Sequence, residues 1–261
     1  MSREWNATAY DRISGPQITW GKKVLARLSL RGNETILDAG CGTGRLTVDL
    51  LEALPTGRVV ALDFSQNMLR TARENLQAKF ENQVSFLAAD LLYLPFDHVF
   101  DGIFSTAAFH WVLDHERLFE QLHDALKRGG WLVAQCGGGA NIKRLRDRAN
   151  CIMTAPDYAE FFKGFNEPWL FSTAELAADR LRNAGFVEVE TSLEAAPTPL
   201  QNAQAYTEFL ENVIFHRHLQ RIPDETRRKH FIATLTNAAA TDNPPFLLDY
   251  WRLNLAGRVP K

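Results

Sequence analysis

The stretch Thr35-Ile-Leu-Asp-Ala-Gly-Cys-Gly-Thr-Gly44 decides how this chain is to be read. Thr35, Ile36 and Leu37 run into Asp38, and glycine then stands at every second position, at Gly40, Gly42 and Gly44. Such a run is a buried strand that ends in a tight turn. Glycine lets the backbone of that turn come within contact distance of a ligand, because it has no Cβ and tolerates φ > 0. The helical sequence that opens at Arg45-Leu46-Thr47 aims its unsatisfied N–H groups back at the contents of the turn. A dinucleotide fingerprint, Gly-x-Gly-x-x-Gly, requires a third glycine where this chain has Arg45.

The same arrangement, a short apolar strand followed by an acid, recurs downstream. Arg58–Asp63 ends in Asp63, which lies 19 residues beyond Gly44, and Val84–Ala88 is followed by Asp90. Ser65 is placed to cap a helix running to Lys79. Phe100–Ser105 predicts a fourth strand, Glu116–Lys127 a helix closed by Gly129-Gly130, and Trp131–Gln135 a fifth strand. Strands alternating with helices predict an α/β fold with a parallel sheet covered on both faces. Ligands of such sheets sit outside the carboxyl ends of the strands. The turn from Asp38 to Gly44, Asp63, Asp90 and the segment from Ser105 onward all fall at such ends. An acid at Asp63 can accept both hydroxyls of a ribose, or can cap the helix behind Phe64-Ser65. Asp90 can accept from an adenine amino group, or serve as a loop or capping acid.

Beyond Gly137-Gly138-Gly139 the rhythm changes. Helical, partly basic sequence leads into an aromatic stretch from Phe161 to Phe171; a helix over Thr173–Ala184 follows, and Phe186–Glu190 alternates like a strand. Residues 201–240 read as helices, with Pro223-Asp224 as a helix start, and Tyr250–Ala256 as a last strand. The segments 140–172 and 197–245 are therefore expected as helical insertions forming a cap over the ligand or an interface between copies. Cap aromatics (Phe161, Phe162, Phe165, Trp169, Phe171) suit either a core or a cationic ligand.

Bulk properties narrow the function. The chain has 261 residues, 46% apolar and 23% charged, with a formal net charge of −2. That balance gives no reason to expect a nucleic-acid or membrane partner. The basic run Lys143–Arg148 is short and interrupted by Asp147, as in a solvated helix face. Cys41, Cys136 and Cys151 are odd in number and lack metal-site spacing, so no disulfide framework and no metal is expected. The opening Met1–Asn6 shows no signal-peptide run, and the expected location is the cytoplasm.

Asp38–Gly44, Asp63 and the Ala89-Asp90 pair resemble the motifs of class I S-adenosylmethionine-dependent methyltransferases. Three further stretches resemble the trans-aconitate methyltransferase group within them: Trp5-Asn-Ala-Thr-Ala-Tyr10, Phe109-His-Trp111 and Tyr250-Trp-Arg-Leu-Asn254. The resemblance implies a single domain over 1–261, with seven strands in the order 3-2-1-4-5-7-6 and the last antiparallel. It also implies an N-terminal lid over 1–30 that includes Tyr10. S-adenosyl-L-methionine is the implied cofactor, leaving as S-adenosyl-L-homocysteine. The implied cofactor-binding residues are Tyr10, Asp38, Gly40, Cys41, Gly42, Gly44, Asp63, Phe64, Met68, Asp90, Leu91, Ser105, Ala107 and His110. The partner implied is a small-molecule substrate, on a chain that is a monomer or a homodimer.

His110 is the one candidate base. A hydroxyl acceptor would need its proton taken by such a group; a carboxylate is already ionised at pH 7 and needs none. The alternative role for His110 is a wall or hydrogen-bonding residue. A carboxylate acceptor would call for a cationic clamp, and Arg144, Arg148, His216, Arg217 and Arg252 are the candidates. The favoured reading is methyl transfer to oxygen, with a carbon or nitrogen acceptor, or binding without catalysis, as alternatives. A nicotinamide-dependent oxidoreductase is the competing class, and Arg45 speaks against it.

Overall fold

The computed structural model of the chain describes Glu4, Trp5, Ala7 and residues 15–261. Tyr10 lies outside the described residues, as does most of the expected lid's first half.

Strand β1 (Thr35–Ala39) is central because its side chains serve two cores at once. Successive side chains of a strand point to opposite faces. Ile36 accordingly joins Val59, Ala61 and Phe104 in one buried cluster, whereas Leu37 and Ala39 join Leu62 and Ile103 in the other. Around β1 stand β2 (Arg58–Asp63), β3 (Val84–Ala88), β4 (Phe100–Thr106), β5 (Leu126–Gly137), β6 (Val187–Ala195) and β7 (Trp251–Arg258). Their order across the sheet is β3-β2-β1-β4-β5-β7-β6, as the resemblance implies. The pairs β1·β2, β1·β4, β2·β3 and β4·β5 are parallel, and β7 runs antiparallel to β5.

Parallel strands need both faces covered. On one face lie α1 (Gly15–Leu25), α2 (Arg45–Glu52) and α3 (Gln66–Phe80), contributing Val24, Leu50, Leu51, Ala72, Leu76 and Phe80. On the other lie α4 (His115–Ala125) and α5 (Ala174–Asn183), contributing Leu118, Phe119, Leu122, Ala177 and Leu181. Ser65 caps α3 by accepting the N–H of Met68 at 3.3 Å. Asp114 and Thr173 do the same for α4 and α5.

One boundary differs from expectation. The helix does not continue to Lys127 with Gly129-Gly130 as its cap; α4 ends at Ala125 and β5 begins at Leu126. Leu126 pairs with Phe100, the register then shifts, and pairing resumes at Gly102 with Trp131. The glycine pair thus lies in a β-bulge that interrupts one strand, where glycine is common for the same conformational reason as at a helix end. β6 and the last strand also run further than expected, to Ala195 and Arg258.

The chain divides into two compact units. The first comprises the residues up to Gly139, Trp169–Glu194 and Arg252–Lys261; the second comprises Ala140–Pro168 and Ala195–Trp251. The second unit holds the helices Lys143–Met153, Ala203–Phe209 and Glu225–Ala240 and a π-helical turn at Leu210–Ile214. Its core gathers Phe162, Phe165 and Phe215 around the buried ring of His218. Arg148 makes a two-pronged contact with Asp242, at 2.9 and 2.7 Å, and Arg144 lies 3.5 Å from the same carboxylate. These two candidate clamp residues are thus held by an acid of their own unit, and the solvated reading of their helix face holds for Lys143 and Asp147 instead.

Gly40 follows β1 at φ +87°, and a Cβ there would lie 2.3 Å from the Cβ of Ala108. Gly40→Ala combines left-handed backbone with overpacking and is expected to cost about 2–4 kcal/mol. Urea unfolding checks this against Gly15→Ala, where no atom lies within 4 Å and stability should hold.

Candidate functional site

The turn after β1 is tied to the end of β2. The N–H groups of Gly40 and Cys41 both donate to the Leu62 carbonyl, at 2.8 and 2.9 Å. The N–H of Gly42 donates to Asp63 Oδ2 at 2.9 Å, and that of Ser65 to Asp63 Oδ1 at 2.8 Å. One carboxylate thereby fixes the glycine turn and the start of α3. Each of its oxygens retains acceptor capacity, since an ionised carboxylate offers about four lone-pair sites. Burial raises the Asp63 carboxyl above its ordinary range, opposed by the N–H groups of Ser65, Gly42 and Phe64.

These groups border a pocket of about 760 Å³, its open mouth included. Of the residues expected at a cofactor, Gly40, Gly42, Asp63, Phe64, Met68, Asp90, Leu91 and Ala107 line it together. A Cβ on Gly42, at φ +55°, would meet no protein atom within 4 Å, so the space beside that backbone is open for a ligand. Asp90 Oδ1 accepts the N–H of Leu92 at 3.0 Å. Ala107 holds a left-handed backbone, φ 56°, with its N–H bonded to the Gln135 carbonyl at 2.8 Å. That conformation costs a non-glycine residue on the order of 1–2 kcal/mol and commonly marks a functional turn.

A second hollow adjoins the first at Gly40, Gly42, Thr106 and Ala107, and it is lined by Asp38, Cys41 and Arg45 among others. Asp38 is buried and accepts the hydroxyl of Thr47 at 2.6 Å. Burial pushes its carboxyl up to about 7; the Thr47 bond opposes this and the nearby Asp63 adds to it. Cys41, in the same low-dielectric surroundings and facing both acids, is held well above the usual thiol range.

Three expected residues line neither hollow. Gly44 turns the chain into α2 at φ 81°. Ser105 is buried and donates its hydroxyl to the Ala39 carbonyl at 2.6 Å, stitching β4 to β1. His110 is also buried, with its ring 5.8 Å from Phe171 and 5.0 Å from Trp111. Its Nδ1 accepts the N–H of Gly137 at 3.3 Å. Burial, with Arg252 and His115 nearby, holds it well below the usual histidine range. A neutral ring whose Nδ1 is an acceptor carries its proton on Nε2. His110 therefore has a donor to offer, and its basic lone pair is engaged with Gly137.

Trp5, within the expected N-terminal lid, and Trp111, to which the sequence assigned no place, both line the first pocket. Their rings meet edge to face at 5.1 Å, and Trp111 continues to Trp169 at 6.0 Å. Trp169 and Phe171 belong to the first unit, so the aromatic stretch expected as one cap core is divided between the units.

Comparison with known proteins adds a family. A family described as "Methyltransferase domain" matches residues 36–130. Demethylmenaquinone methyltransferase of Geobacillus stearothermophilus is 31% identical over 198 residues, covering 69% of this chain and 85% of that one. The chain belongs to the class I S-adenosylmethionine-dependent methyltransferases. Trans-aconitate 2-methyltransferase of Variovorax paradoxus is 38% identical over 133 residues, 51% of this chain and 49% of the relative; the chain spans about half the length of that curated methyltransferase. The fold is shared with phosphoethanolamine N-methyltransferase 2 of Haemonchus contortus in complex with S-adenosyl-L-methionine, at a TM-score of 0.63 and 17% identity, over 98% of this chain and 57% of that one. The residues present fit this methyltransferase family's cofactor. Open space beside Gly42 admits a close ligand, Asp63 retains acceptor capacity, and Phe64, Met68 and Leu91 supply apolar surface.

The raised Asp38 carboxyl has a consequence for stability. It ionises at about 7 in the folded chain against an ordinary 3.8, so the folded state binds its proton more tightly. Stability is therefore lost as pH rises from about 4 to about 7. Asp38→Asn keeps an acceptor for Thr47 and carries no charge. Without ligand it should match the parent chain near pH 4 and exceed it at pH 8 by about 1–4 kcal/mol. Urea midpoints measured across pH check this; parallel profiles for the two chains would refute it.

Proposed function

We propose that this chain transfers the methyl group of S-adenosylmethionine to an oxygen of a small-molecule acceptor by in-line displacement. The observation that carries the reading is the single pocket in which Gly42, Asp63 and Asp90 come together. Asp63 is assigned to the ribose hydroxyls, Asp90 to the adenine amino group, and Phe64, Met68 and Leu91 to the faces of the base. Asp38, in the adjoining hollow, is assigned to the cationic amino group of the methionyl part.

The cofactor supplies an electrophilic methyl on a neutral leaving group. What remains for the chain is to align the acceptor and exclude water. Good alignment contributes up to about 7–11 kcal/mol in intramolecular systems. The protonation of His110 supports an acceptor that arrives already ionised. With Nδ1 accepting from Gly137 and the ring neutral, His110 can donate a hydrogen bond to an acceptor oxygen but is poorly placed to remove a proton. A carboxylate meets that condition, and trans-aconitate, named in a relative, is a carboxylate compound. Carbon methylation is the second reading, supported by the Trp5 and Trp111 rings in the pocket wall and by the demethylmenaquinone relatives.

Calorimetric titration should show S-adenosylhomocysteine binding and no NAD binding. Asp63→Ala should weaken S-adenosylhomocysteine by roughly 10²- to 10⁴-fold, the equivalent of losing two hydrogen bonds to a charged group at about 1.5–3 kcal/mol each. NAD binding in place of S-adenosylhomocysteine would reject the assignment.

With a panel of carboxylic acids, phenols and quinols as acceptors, His110→Ala should keep kcat within about tenfold, since loss of a true general base typically costs 10²–10⁴-fold. A larger loss that is rescued at high pH would restore the base and favour a hydroxyl acceptor.

A further inference from the structure

Glu4 and Trp5 make a set of contacts that the assignment of the pocket does not use. The Glu4 carboxylate sits at the N-terminus of α3. Its Oε1 accepts the N–H of Gln66 at 3.3 Å; its Oε2 accepts the N–H of Asn67 at 3.2 Å and the hydroxyl of Ser65 at 3.1 Å. Together with the bond from Met68 to Ser65, this satisfies the first three N–H groups of the helix. A negative group there is also favoured by the helix dipole. Trp5 is held by the same residues: its N–H lies 3.4 Å from Ser65 Oγ, and its carbonyl accepts from Asn67 Nδ2 at 3.4 Å. Its ring then meets Trp111 edge to face, and both rings line the pocket with Asp63 and Asp90.

We propose that Glu4 is a positioning residue for the nucleoside ligand: bound across the first turn of α3, it holds Trp5 against Trp111 as the outer wall of the pocket and so sets the rate at which ligand leaves. This rests on the assignment of the pocket to S-adenosylmethionine. Two effects of Glu4 on the ligand oppose each other, which makes its role measurable. Its negative charge lies close enough to Asp63 to raise that carboxyl. Removing the charge would favour ionised Asp63, the better acceptor for ribose hydroxyls, and on that ground alone would tighten binding. Removing the positioning contact loosens Trp5 and weakens binding. The sign of the change therefore tells the two apart.

The experiment is stopped-flow binding of S-adenosylhomocysteine to the full chain, with unliganded melting temperatures measured alongside. Glu4→Ala should raise koff by about tenfold with kon within about threefold, the usual pattern when a bound-state contact is lost. Glu4→Gln, which keeps an acceptor oxygen, should fall between. Trp5→Ala should reproduce the increase, and the double variant should add little, because both changes remove the same wall. The melting temperature of Glu4→Ala without ligand should fall by no more than about 4 °C, the scale of losing a helix-cap contact. An unchanged koff, tighter binding, additive effects, or a large loss of unliganded stability would each overturn the proposal. Failure of S-adenosylhomocysteine to bind the parent chain would overturn the assignment of the pocket and this proposal together.

Discussion

The site depends on one carboxylate. Asp63 is the last residue of β2, and its two oxygens take N–H groups from the glycine turn after β1 and from the start of α3. Three elements that are separate in sequence are set at fixed spacing by a group that must itself be partly desolvated to do it. Burial of a charge is costly unless hydrogen bonds replace water. Here the N–H of Gly42 in the turn and that of Ser65 at the start of α3 supply them, and the first is available because glycine leaves that backbone uncovered. The carboxylate therefore needs the turn as much as the turn needs the carboxylate. A ligand that brings two more donors to Asp63 completes the same exchange.

A second acid makes the arrangement less comfortable. Asp38 is buried beside Asp63 with one hydroxyl as its partner, and its carboxyl is pushed up to about 7 as a result. Two acids in one desolvated region are unfavourable for the chain alone. On the assignment proposed above, a cationic group of the ligand placed beside Asp38 would offset that cost. Stability withheld from the free chain would then be returned on binding, a pattern expected of functional sites rather than of cores.

Much of this was legible in the sequence, for a physical reason. The alternation of strands and helices, the Ser65 cap and the acids at the first three strand ends follow from local signals, whereas the strand order and the remaining pocket residues came with the family resemblance. What escaped depends on non-local contact. The Gly129-Gly130 pair reads equally well as a helix stop and as a bulge, and only the pairing of Leu126 with Phe100 decides between them. Arg144 and Arg148 read as free cations until Asp242, far along the chain, is found bonded to Arg148 and close to Arg144. Ser105 stands at a strand end like the pocket residues, and only the fold shows that its hydroxyl donates to the Ala39 carbonyl.

His110 shows how much a residue's surroundings bear on its chemistry. A histidine beyond the fourth strand invites the role of base because its free pKa lies near neutrality. Two features of the fold oppose that role. Burial makes the charged ring unfavourable, and the N–H of Gly137 takes the lone pair of Nδ1. What is left is a neutral ring beside Trp111 and Phe171 with its proton on Nε2. On the reaction proposed above, the demand for ionisation then passes from enzyme to acceptor. An acid with a pKa near 4 meets it at no cost at neutral pH, whereas a phenol with a pKa near 10 carries a deficit of about three units, or roughly 4 kcal/mol. The hydrogen bond to one imidazole nitrogen thus bears on which class of molecule the other can serve.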